Sequence, residues 1–199
     1  ASSGGNIWKG SLHGVGWVCV NDYMQINNIN MVRYISRENE DNRLLISAGN
    51  KFYYSDNEGF TINQSSGLEG VESWGEIYRS VVTYSDENSD PVIFTLTKEW
   101  NNGSVIKIFR SDNLAESFYE IYSTSLVSER AYDLWTDRYE NSDIYFLRNG
   151  SLYMISVFNN SISLIADAGP SNQGENILSG GKDQTNNGDF HFHAKIGSR

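Results

Sequence analysis

The sequence predicts an all-β fold built from repeated four-strand units. Three observations predict it. The apolar residues fall in short runs bounded by Gly, Asn, Asp and Ser, the residues that turns demand. The runs recur in the same order along the chain. No window sustains a helical period over 11 or more residues.

The first unit, residues 29–65, carries apolar runs at 31–35, 44–47, 52–54 and 60–62. The second, 77–123, carries them at 77–84, 92–97, 105–109 and 118–122. The third, 131–166, carries them at 132–135, 144–147, 152–157 and 162–165. The second run of each unit starts at 44, 92 and 144, a period of about 50 residues, long enough for one four-stranded propeller blade. Ala48-Gly49-Asn50, Asn101-Asn102-Gly103 and Asn149-Gly150 stand where the second run turns into the third. Asn and Gly both tolerate positive φ, so such a pair specifies a hairpin. Leu44-Leu45-Ile46, Val92-Ile93-Phe94 and Ile144-Tyr145-Phe146-Leu147 are apolar on both faces. A strand covered on both sides by neighbouring sheets has this pattern. Ile106-Lys107-Ile108 alternates and suits a more exposed strand.

The ends differ. Residues 1–28 hold Trp8, Gly10, Gly14, Gly16 and Trp17 and read as the end of a preceding blade or as N-terminal strands. Residues 167–189 are rich in Gly and Asn and read as a linker, and 190–199 begin a further strand. Closed propellers have about four or more blades. The expectation is therefore a fragment of a larger propeller, an arc completed by a partner, or a small ring whose last blade joins both termini.

One turn occurs twice in the same frame. Ser55-Asp56-Asn57-Glu58-Gly59-Phe60-Thr61-Ile62 follows the third run of the first unit. Ser111-Asp112-Asn113-Leu114-Ala115-Glu116-Ser117-Phe118 follows the third run of the second. Each has Ser at the first place, Asn at the third, a small residue at the fifth, a hydroxyl at the seventh and an apolar residue at the eighth. This resembles the Asp-box, or BNR repeat, S-x-D-x-G-x-T-W, of sialidases, sortilin-like receptors, xyloglucanases and other secreted β-propellers. The resemblance implies a β-propeller or partial propeller of about three to four four-stranded blades. It also implies a structural role for Ser55, Asn57, Gly59, Thr61, Ser111, Asn113, Ser117 and Phe118. Asn57 and Asn113 stand in place of Asp, Ala115 in place of Gly, and Ile62 in place of Trp. The third unit turns at Asn159-Asn160-Ser161 by simpler means.

Composition narrows the function. The chain has 199 residues, a formal net charge of −10 and a sequence pI near 4.7. An acidic surface repels phosphate backbones, so nucleic acid is not an expected partner. No stretch approaches the ~20 apolar residues of a spanning helix, so membrane insertion is not expected. Cys19 is the single cysteine and lies in the apolar run Trp17-Val18-Cys19-Val20, so it is expected as a buried structural thiol. Asn63, Asn102, Asn149 and Asn159 head Asn-x-Ser sequons, common by chance in so Asn-rich a chain.

No residue set earns a catalytic, cofactor or metal assignment. The sialidase resemblance would imply three arginines for a carboxylate, a Tyr nucleophile with a Glu partner, and an Asp acid/base. The Arg-Ile/Leu-Pro signature that precedes the first box in such enzymes is absent. Arg33, Arg79 and Arg130 recur about once per unit and read as solvated or ion-paired. Asp86, Glu87, Asp133 and Asp137 are carboxylates that no motif selects among 25 acidic residues. His191 and His193 share a face of a strand but lack a third ligand in sequence, His13 being distant. Asp137 and Asp143 lack EF-hand spacing for calcium. Trp74, Trp100 and Trp135 fall in or beside loops at unit boundaries, where exposed rings suit sugar stacking or protein contact and covered rings pack between blades.

The expected function is a non-catalytic glycan- or protein-binding or scaffolding module of an extracellular or cell-surface protein. Its partner is a glycan, a protein, or a neighbouring domain or subunit that completes the propeller. One alternative is the partial propeller of a sialidase-like or xyloglucanase-like glycoside hydrolase. Another is a structural component of a large surface or virion assembly.

Overall fold

The structure is a computed structural model. It describes residues 6–11, 13–24, 26–37, 42–85, 90–100, 103–125, 132–136, 143–148, 151–167, 175–182 and 190–196. Arg130, Asp86, Glu87, Asp137, Asn102 and Asn149 lie outside the described residues.

A short pair, β1 (Trp8–Lys9) and β2 (Val18–Cys19), comes first. The first four-stranded sheet follows: β3 (Ile29–Ile35), β4 (Arg43–Ala48), β5 (Lys51–Ser55) and β6 (Asn63–Gln64). Helix α1 (Glu69–Trp74) leads into the second: β7 (Gly75–Tyr84), β8 (Pro91–Glu99), β9 (Val105–Ser111) and β10 (Tyr119–Ser125). The third holds β11 (Tyr132–Thr136), β12 (Ile144–Arg148), β13 (Ser151–Ile155) and β14 (Ile162–Asp167). A pair, β15 (Glu175–Lys182) and β16 (Phe190–Ile196), comes last. Each four-stranded sheet is an antiparallel meander in chain order. The first strands form a row, with β7 against both β3 and β11, and β11 against β15. Successive four-stranded sheets with adjacent first strands make an all-β partial propeller.

Strand alternation explains the packing. On β4, Leu44, Ile46 and Ala48 join Ile7, Ile26 and Tyr53 in the core shared with the N-terminal segment. Leu45 faces the other way, with Phe52, Ile77, Val82 and Ile93, in the core between the first two blades. On β8, Ile93 faces that same core, whereas Val92, Phe94 and Leu96 join Ile144, Phe146 and Ile155 between blades two and three. All of β4 is buried, as the doubly apolar run requires.

Helix α1 carries no periodic signal in the sequence, because six residues are too few for a period to register. It is tied down by Val71, which is fully buried between the first two blades. Strand β15 lies inside the stretch expected as a linker. Its backbone is satisfied by β16 beyond the Gly/Asn-rich segment, a long-range pairing that local composition does not reveal.

The two Ser-x-Asn turns close alike. Ser55 Oγ accepts the Gly59 N–H at 2.9 Å, and Ser111 Oγ accepts the Ala115 N–H at 3.0 Å. Asn57 Oδ1 accepts from the Thr61 N–H at 2.7 Å, and Asn113 Oδ1 from the Ser117 N–H at 3.0 Å. The Asn amides donate to the Thr61 and Ser117 hydroxyls at 3.2 and 2.9 Å. The fifth place has φ of +94° at Gly59 and +72° at Ala115. Phe118 packs its ring 4.9 Å from Phe52, sealing the first two blades. The third unit uses Asn160 at φ +59° and a Ser161 N–H bond to Asn159 Oδ1.

Two buried arginines link these turns between blades. Arg43 donates to both Asp56 oxygens at 2.6 and 2.8 Å, and reaches the Leu114 carbonyl at 3.1 Å in the turn of the next blade. Arg110 pairs with Asp112 at 2.6 Å and reaches the Val157 carbonyl and Asn160 Oδ1 in the third blade at 2.5 and 2.7 Å. The second residue of each turn thus orients an arginine that grips the following turn.

Candidate functional site

The connectivity creates two rims. The Ser-x-Asn turns and the links from first to second strand lie on one. The starts of the first strands and the links from second to third strand lie on the other. Trp74 precedes β7 and Trp100 follows β8, so both occupy the second rim.

The structure brings these two tryptophans together. The Trp100 N–H donates to the Trp74 carbonyl at 2.8 Å. Gly75 allows this junction, since a Cβ there would lie 2.6 Å from the Lys98 carbonyl oxygen. Trp74 and Trp100 are 64% and 49% exposed, so neither residue is packed between blades. Lys98 places its ammonium 5.7 Å from the Trp100 ring and 5.4 Å from the Tyr132 ring. Tyr78 meets Tyr132 edge-on at 4.5 Å, and it stands at a bulge in β7 where the register with β8 shifts. The bulge turns Tyr78 outward. Beside it, Arg79 donates to Asp133 Oδ1 at 3.1 Å. In α1, Glu72 Oε1 accepts from the Gln64 amide at 2.9 Å.

Trp135 does not join this group. It sits within β11, not in a loop, with its ring 6.0 Å from Tyr145. Its Nε1 is buried and has no partner among the described residues. Trp135 is the last residue of the apolar run 132–135, so it reads equally as strand or boundary in sequence, and pairing with Tyr145 decides for the strand.

The remaining candidates disperse. Arg33 is exposed on β3, and Arg79 is ion-paired. Asp133 is held by Arg79 and by the Leu134 N–H at 2.8 Å. Asp143 accepts from the Val157 N–H at 3.4 Å, within the third blade. His13 lies exposed in the β1–β2 link; His191 and His193 are on β16, paired in backbone register with Gly181 and Ser179. Among the described residues no three His, Cys, Asp or Glu side chains converge on a point. Cys19 is half-buried rather than buried, because β2 lies at the margin of the core. The hydrogen bond with Asp22 and burial both raise its pKa, which keeps it a thiol. No described helix is long and apolar enough to cross a membrane.

Lys98, Tyr78 and Tyr132 are the members that sequence reasoning missed. Lys98 stands two places before Trp100, which was the available signal. The two tyrosines lie on neighbouring first strands, and only the packing of β7 on β11 brings them together.

No protein-family model matches the chain, and no curated protein matches it. Among solved structures it is similar to one described as NanB plus Optactamide, with 11% sequence identity and a TM-score of 0.43. That match covers 95% of this chain and 32% of the other, so the chain spans about a third of that protein. The fold assignment rests on the sheet topology rather than on this likeness.

Proposed function

We propose that the chain is a non-catalytic, glycan-binding module of a secreted or surface protein, with Trp74 and Trp100 as its stacking platform. The observation that carries this reading is the pair of exposed tryptophans on one rim, joined through their backbones. An exposed indole offers a flat apolar face to the C–H face of a sugar, and Lys98, with its ammonium 5.7 Å from the Trp100 ring, offers hydrogen bonds beside it. Burying such a face contributes roughly 1–3 kcal/mol per ring, enough for weak binding that repetition strengthens. Two exposed rings with Lys98 beside them suit a single sugar face, whereas a stable protein interface needs about 1,000 Å² or more. This distinction favours glycan over protein as the ligand. The likeness of the Ser-x-Asn turns to the Asp-box supports a place among secreted propellers related to sialidases, and fold alone assigns no activity.

The test is a glycan array followed by calorimetry on the hits. Trp74→Ala and Trp100→Ala should each weaken binding on the order of tenfold or more without lowering the melting temperature, because both rings are exposed. Turnover of aryl-glycosides by the chain, or binding indifferent to both substitutions, refutes the reading.

A further inference from the structure

The structure presents one of the four Asn-x-Ser motifs differently from the rest. Asn102 and Asn149 lie outside the described residues. Asn63 is on β6, and the hydroxyl two places on belongs to Ser65, which is 3% exposed and bonded through its N–H to the Phe52 carbonyl. Asn159 stands in the turn between β13 and β14, and both Asn159 and Ser161 are exposed. By connectivity this turn shares a rim with the Ser-x-Asn turns, opposite Trp74 and Trp100.

The turn is fixed on both sides of Asn159. Val157 is fully buried. The Ser156 N–H donates to the Ser161 carbonyl at 2.9 Å, and the Asn160 N–H to the Ser156 carbonyl at 3.0 Å. Arg110 holds the Val157 carbonyl and Asn160 Oδ1 from the neighbouring blade. Within this frame Asn159 uses half of its carboxamide. Its Oδ1 accepts from the Ser161 N–H at 2.9 Å, while its Nδ2 makes no hydrogen bond among the described residues. In the other two turns that nitrogen is spent, since Asn57 and Asn113 donate to the Thr61 and Ser117 hydroxyls. Next to Asn159, Phe158 is 69% exposed and belongs to none of the three cores. An uncovered ring beside a free amide nitrogen offers its apolar face to the C–H face of a sugar attached there.

We propose that Asn159 is an N-glycosylation site whose first sugar packs on Phe158. The inference rests on the extracellular part of the proposed function and not on Trp74 or Trp100. The donor is an oligosaccharide carried on a lipid pyrophosphate, and the catalyst is the transferase of a secretory pathway. Asn159 Nδ2 bonds to C1 of the first sugar, the C1–O bond to the pyrophosphate breaks, the nitrogen gives up one proton, and the lipid pyrophosphate leaves. The exposed Ser161 hydroxyl is the second group of the motif that the transferase reads. A glycan on this rim leaves the rim of the tryptophans open.

Secretion of the 199-residue chain from a eukaryotic cell, behind a cleavable leader, tests this by mass spectrometry of its peptides. The expected result is a glycan on the peptide that holds Asn159, released by an N-glycan amidase. Asn159→Gln and Ser161→Ala should each abolish it, whereas Ser161→Thr keeps it. Both positions are exposed, so the variants should remain folded by circular dichroism. A bare Asn159 in the secreted, folded chain overturns the proposal, even with glycans at Asn63, Asn102 or Asn149. Modification of Asn159 that persists in Ser161→Ala overturns it equally. The contact with Phe158 has its own readout. The glycosylated chain should melt above the same chain made without the transferase, and Phe158→Ala should narrow that gap by about 2–4 °C. An unchanged gap removes the sugar from Phe158. A chain that carries the Asn159 glycan yet binds nothing on a glycan array refutes the role of Trp74 and Trp100 alone.

Discussion

Arg43→Met removes the guanidinium that ties the first two blades together, while keeping an apolar stem of similar length. Arg43 is 5% exposed and is held by Asp56, the Leu114 carbonyl and Glu116, with its guanidinium 4.6 Å from the Tyr54 ring. Burial works against its charge, but the bonds and charges of Asp56 and Glu116 outweigh that and raise its pKa. Asp56 and Glu116 are 38% and 52% exposed, so both rehydrate when the arginine is gone and their share of the loss is small. The Leu114 carbonyl belongs to a buried residue, and leaving it unpaired costs about 1–3 kcal/mol. The lost cation–π contact adds roughly 0.5–1 kcal/mol. The expected total is about 2–4 kcal/mol, read as a lower urea midpoint at an unchanged slope. Asp56→Asn keeps the guanidinium on Leu114 and should cost less, about 1 kcal/mol. A double-mutant cycle then isolates the pair. The reasoning is refuted if Arg43→Met costs under about 0.5 kcal/mol, or if Asp56→Asn costs more than Arg43→Met.

Asn57→Ala deletes the acceptor of the Thr61 N–H and should lower stability by about 1–2 kcal/mol while leaving any ligand binding intact; lost binding in a still-folded variant would overturn the structural role of Asn57. Gly67→Ala should be far more damaging, because its Cβ would lie 2.0 Å from the Phe118 carbonyl oxygen at φ +85°. That close approach accompanies the bridge from Ser66 to Ser117, so limited proteolysis should reveal the first two blades separating. Lys107 tests the alkaline arm. Burial lowers its pKa but Glu99 and Glu120 outweigh that, so the folded value is raised. Its contribution is therefore complete below the unfolded value of about 10.4 and fades as pH rises through the folded one. Melting temperatures of wild type and Lys107→Met should converge above that range; a gap that widens with pH contradicts the assignment.

Sequence alone determined the three blades and their order. A strand covered on both faces must be apolar at every position, so β4, β8 and β12 announced themselves and set the period. The Ser-x-Asn turns were equally plain, because each bond in them joins residues at most four apart. What lies between blades was not. Arg43 grips a carbonyl 71 residues away, and nothing local in Arg43 or Leu114 marks that pairing. The rim that carries the tryptophans divides in the same way. Trp74 and Trp100 were visible as boundary aromatics, but their junction and the exclusion of Trp135 depended on which strand ends share a rim. The last strand pair depended on tertiary structure most of all. Composition made 167–189 a linker, and only the row of first strands turned part of it into β15, since strand pairing is decided by partners distant in sequence.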